Sequence, residues 1–191
     1  MSSISPPTRL MPPRGYLAVI RTIDKFTEWT GYLFVLFIIP LILSNVIEVF
    51  ARYVLKDPTI WALDITTMSY AALFMLGSAL ALLKGAHVRT DMLWDAFSDR
   101  TKGMIDSLAF ILFFLPTMAV LFIISIDDFI YAVSINERSA SGAWAPILWP
   151  LRGVIPLTAF MLFLQGISEL MKSIWAWRTG AFLTRHEKIE V

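Results

Sequence analysis

Ionisable side chains with the spacing to act together stand at few places in this 191-residue chain. Glu48 and Arg52 are four apart, so on a helix they meet on one face. Asp64 follows Trp61 by three residues, and Lys84, His87, Arg89 and Asp91 crowd into one short segment. Basic side chains gathered in that way suit a lipid phosphate, or simply mark the side of a membrane that retains positive charge. For Lys84 the second, plainer account is preferred. Arg52 and Asp64 have the charges to pair with each other or with a partner chain, against the alternative of two solvated charges that contribute little.

Other chemistries find no residues to carry them. His87 has no second ligand at suitable spacing for a metal, and the remaining histidine, His186, lies in the C-terminal tail, so a haem held between helices is not expected either. There is no cysteine, which excludes disulfides, iron–sulfur clusters and thiol chemistry. Phosphate-loop, dinucleotide, zinc-protease and serine-nucleophile motifs are missing, so no cofactor and no enzyme are expected. The net charge of +1 gives no reason to expect a nucleic-acid partner.

The elements that position these residues are membrane helices. The chain is 57% hydrophobic with a mean hydropathy of +0.68. Between Ile65 and Leu83 no side chain is charged, and about 19 residues at 1.5 Å each cross a hydrocarbon layer of roughly 30 Å. The expected fold is an all-α integral membrane protein with four transmembrane helices, over about 30–49, 60–83, 105–126 and 147–168. Two short amphipathic interfacial helices accompany them, at about 16–28 and 91–103, within a domain covering 16–178. For 16–28 the alternative is an early extension of the first span, since the helical period runs on into Trp29. Asp91 is placed to cap the second of these helices. Residues 1–15 and 179–191 are tails. Pro40, Pro116 and Pro156 fall inside spans, where neighbouring helices can absorb the lost hydrogen bond. Gly77, with Ala71, Ala72, Ser78, Ala79 and Ala81, forms a small-residue face suited to close packing.

Arg9, Arg14, Arg21 and Lys25 fall on one side of the membrane with Lys84, Arg89, Arg100 and Lys102 and with Lys172, Arg178, Arg185 and Lys188. Only Arg52, Lys56, Arg138 and Arg152 fall on the other, which places both termini in the cytoplasm. The centres of the spans hold no Asp, Glu, Lys, Arg or His. Intramembrane charges mark ion and proton pathways, so transport chemistry is not expected of this chain alone.

Arg52-Tyr53, Trp61 with Asp64, Leu76-Gly77-Ser78-Ala79, Lys84-Gly85-Ala86-His87-Val88-Arg89-Thr90-Asp91, and the run from Asn136-Glu137-Arg138-Ser139 through Trp144, Pro146 and Trp149-Pro150 to Gln165-Gly166 go further. In this order they resemble the DctQ-like small membrane subunit of TRAP (tripartite ATP-independent periplasmic) transporters, over about Glu48 to Lys172. The chain departs from the family pattern in placing Leu63-Asp64 after the tryptophan, where Glu, often doubled, is usual. The resemblance implies a small scaffold subunit of a sodium-driven organic-acid uptake system in a bacterial inner membrane. Its partners would be a large elevator-type permease subunit, a periplasmic substrate-binding protein and phospholipid. Arg52, Tyr53, Trp61, Asp64, Gly77, Lys84, His87, Arg89 and Asp91 are the candidate interface residues. The competing expectation is an independent four-helix protein, such as a small channel or an assembly factor.

Overall fold

The computed structural model describes residues 12–85, 97–140, 143–181 and 183. Four helical rods are long and apolar enough to cross a membrane: Arg14–Leu55, Ala62–Leu83, Asp99–Ser134 and Trp149–Thr179. No β-strand occurs among the described residues. The first rod joins α1 (Arg14–Val35) to α2 (Ile38–Phe50) and ends in a π-helical turn, Ala51–Leu55. The second is α3 (Ala62–Leu83). The third joins α4 (Asp99–Ala109) through a π-helical turn, Phe110–Phe114, to α5 (Leu115–Ser134), and the fourth is α6 (Trp149–Thr179).

Proline explains two of the irregularities. Pro40 has no N–H for the Leu36 carbonyl, which instead accepts from the Ile39 N–H at 3.0 Å, so the helix tightens for one turn between α1 and α2. Pro116 follows the π turn, where the Leu115 N–H reaches back to the Phe110 carbonyl and the wider turn accommodates the missing bond at Leu112. The first rod terminates where Lys56 turns left-handed (φ 56°) and the Asp57 N–H returns to the Ala51 carbonyl at 3.1 Å.

The interfacial helix expected at 16–28 does not stand as a separate element, and residues 91–96 of the one expected at 91–103 lie outside the described residues. α1 passes through residues 28–30 without a break, as the alternative of an extended first span has it. Nothing in Glu28-Trp29-Thr30 interrupts a helix, and the Thr30 hydroxyl donates back to the Phe26 and Thr27 carbonyls at 2.8 and 3.2 Å. Within 91–103, residues 99–103 are the first turn of the third rod, capped by Ser98, whose side chain accepts the Thr101 N–H at 3.3 Å. The expected cap at Asp91 lies outside the described residues.

The rods are not equal partners. α6 packs against α1, α3, α4 and α5, whereas the third rod packs chiefly against α6. Of the most apolar stretch of α6, 44% is buried inside the protein, against 6% for the first and third rods, which leaves most of their apolar surface facing outward.

Glycines set the closest crossings. A Cβ on Gly103 would lie 2.5 Å from the Trp177 backbone nitrogen and 2.7 Å from the Ser173 carbonyl oxygen, so α4 rests directly on the α6 backbone. Gly166 faces Phe114, Gly153 faces Phe129 and Gly31 faces Leu80. Gly77 does not belong to this set. Ala72 and Ala79 of the expected small-residue face are buried, but nothing approaches Gly77 within 4 Å of an added Cβ.

Candidate functional site

The polar residues gather at the two ends of the helices. At the end carrying the start of α1 and the finish of α6, Gln165, Ser168, Glu169 and Lys172 fall at helical spacing on one face of α6, and all four are buried. They meet Asp24 of α1. Asp24 Oδ1 accepts from Gln165 Nε2 at 3.1 Å and from Ser168 Oγ at 2.7 Å, and Lys172 Nζ lies 2.8 Å from Asp24 Oδ2. Lys172 also donates to Glu169 Oε1 at 2.8 Å, and Gln165 Nε2 to the same oxygen at 3.1 Å. One ammonium thus serves two carboxylates in a buried network that bolts α1 to the central helix. Nearby, the Tyr16 hydroxyl donates to the Met171 carbonyl, and Lys84 Nζ lies 2.7 Å from Glu28 Oε1. That hydrogen bond raises the Lys84 pKa, so the ammonium stays charged on a carboxylate of α1.

At the opposite end, Glu48 is the junction. Its Oε1 accepts from Arg52 Nε and Nη2 at 2.9 and 2.5 Å, and its Oε2 from the Thr59 N–H at 2.9 Å and from the Thr59 hydroxyl. The end of the first rod is thereby pinned to the turn that starts α3. One turn deeper, Ser44 and Asn45 reach Thr66 of α3 at 2.9 and 3.2 Å. Asp64, in the first turn of α3, is 4% exposed and accepts from Ser139 Oγ at 3.3 Å, which holds the 135–148 connection against α3. That connection is closed by Ser139 N–H to the Pro146 carbonyl (2.8 Å) and by Arg152, which spans Glu137 and Asp128 at 3.0 Å each. Asn45, Glu48, Arg52, Thr59, Asp64 and Thr66 are among the residues lining a cavity of about 320 Å³.

The structure therefore brings Arg52 and Asp64 to one cavity without pairing them: Arg52 lies on Glu48 and Asp64 on Ser139. Trp61 is the residue preceding α3, its carbonyl accepting the Ile65 N–H at 3.1 Å, while Tyr53 points outward, 74% exposed. Lys84 pairs with Glu28 of α1. His87, Arg89 and Asp91 lie outside the described residues. The α6 network was missed because the fourth span was ended at Ser168; the signal was a polar stripe, Gln165, Ser168, Glu169 and Lys172, on an otherwise apolar helix.

Four rods are apolar enough to cross a membrane, with polar ties toward their ends. Residues 41–175 match the family described as "Tripartite ATP-independent periplasmic transporters, DctQ component". The chain belongs to the DctQ family. The match covers α2 from Leu41, α3 and the third rod entire, and α6 as far as Trp175. No curated protein and no solved structure matches the chain. A DctQ component is the small subunit of a TRAP transporter, which works with a large permease and a substrate-binding protein; the family is one of transporter components, not of enzymes. The protein is accordingly a multi-pass membrane protein. Asp24 and its bonds to α6 begin before the matched residues, so the α1 lock couples a segment outside the family match to one inside it.

Proposed function

We propose that this DctQ chain is the stationary scaffold of a sodium-driven uptake system for organic acids, set in a bacterial inner membrane with both termini in the cytoplasm. It packs beside a large elevator-type permease, which holds the substrate and sodium sites and works with a periplasmic binding protein. One observation supports this above others. The ionisable groups within the described helices cluster toward the rod ends, many in internal ties, while the first and third rods turn long apolar faces outward. An ion-conducting chain needs ionisable groups along a path through the bilayer. One turn inside the Glu48 junction, Ser44 and Asn45 are bonded to Thr66 across two helices.

His87 and Arg89 remain candidates for contact with the permease or with a lipid phosphate beside it. Co-expressed with the permease, the tagged chain is expected to carry it through detergent extraction and size exclusion, and Arg89→Glu to weaken that retention. A chain that elutes alone beside a folded permease contradicts the scaffold.

A further inference from the structure

The four charges of α1 between Arg21 and Glu28 are met differently according to sign. Asp24, part-buried, is taken up by Lys172, and Glu28, on the surface, by Lys84. Arg21 and Lys25, one turn apart, are exposed and meet no carboxylate at ion-pair distance among the described residues. Docking on α3 and α6 commits the acidic neighbours one turn away to Lys172 and Lys84 and leaves Arg21 and Lys25 without a direct ion pair among the described residues. Beside them Phe26 and Trp29 are 43% and 68% exposed, and with Thr22 the five residues line an open groove of about 430 Å³. Trp29 and Tyr32, also exposed, sit where the rod passes from polar to apolar sequence, the depth at which amphipathic rings meet lipid headgroups.

We propose that this outer face of α1 is a binding site for the phosphate of an acidic phospholipid. The guanidinium of Arg21 and the ammonium of Lys25 take the phosphate oxygens, and Phe26 and Trp29 pack along the glycerol and upper acyl chains. An acidic lipid is favoured over a zwitterionic one because the two cations have no paired carboxylate among the described residues, and a zwitterionic headgroup brings no net charge to balance them. The site is distinct from Lys84, whose charge is already met by Glu28.

The test uses the full-length chain in detergent with added dioleoyl phosphatidylglycerol or phosphatidylcholine, bound lipid being read by native mass spectrometry. The wild type should retain phosphatidylglycerol in preference. Arg21→Gln and Lys25→Gln should each weaken that retention about fivefold, and the double variant on the order of tenfold or more. A control, Arg100→Gln/Lys102→Gln, removes two charges from the same end of the molecule but not from the groove, and should leave retention unchanged. Equal retention of both lipids, an unaltered double variant, or an equal loss in the control would each overturn the site.

Discussion

Lys172 holds two carboxylates at once, and its loss would leave Asp24 and Glu169 facing each other with no counter-charge. Breaking one partner out of a buried ionic network costs about 3–5 kcal/mol, whereas replacing the whole network with neutral groups of similar size costs far less. Lys172→Met is therefore expected to lower the thermal midpoint more than the triple substitution of Asp24→Asn, Glu169→Gln and Lys172→Met, measured on the purified chain. Lys84 is a different case, because its pair with Glu28 is exposed and worth less than about 1 kcal/mol. Since Glu28 raises the Lys84 pKa, the contribution of the pair is whole below the ordinary amine value of 10.5 and is lost only as pH rises through the raised value. Melting curves of wild type and Lys84→Met should thus run parallel across the neutral range. The Glu48–Arg52 pair was legible from its four-residue spacing. The Asp24–Lys172 pair was not: in sequence Lys172 is one more basic residue on the positive side, and only the fold brings the first helix to it.

At the scale of elements, prolines could be read where they stand, because a missing N–H has the same local consequence in any helix. Glycines could not, because their role depends on what faces them. Gly103→Ala puts a methyl group against the backbone of α6 and is expected to destabilise the chain by about 1–3 kcal/mol, seen as a lower unfolding midpoint. Gly77→Ala meets open space and should leave that midpoint within about 0.5 kcal/mol of wild type. If the α3 face bearing Gly77 seats the permease, the same variant should loosen the co-purified complex without touching the stability of the chain. Whether 16–28 is a separate helix or the start of the first span stayed open in the sequence for a related reason. Amphipathic spacing says that a helix has two faces, not what each face meets, and on α1 Ile20 is buried against protein while Val19 and Phe26 stay exposed.

For the whole molecule, the number of apolar rods followed from hydropathy, while their full lengths and the central position of α6 did not, since no one-dimensional pattern tells which of four apolar helices the others surround. Orientation rests on the distribution of basic residues and is directly testable, because the chain has no cysteine. Ala143→Cys should react with an impermeant thiol reagent added outside spheroplasts, and Ser98→Cys only after the membrane is opened. The central claim is that this subunit supports transport without conducting anything itself. Proteoliposomes containing the permease and this chain, supplied with the binding protein and an inward sodium gradient, should accumulate substrate. Vesicles with this chain alone should pass neither sodium nor substrate, and vesicles lacking it should take up little. Sodium flux through the chain alone, or full uptake in its absence, would contradict the account.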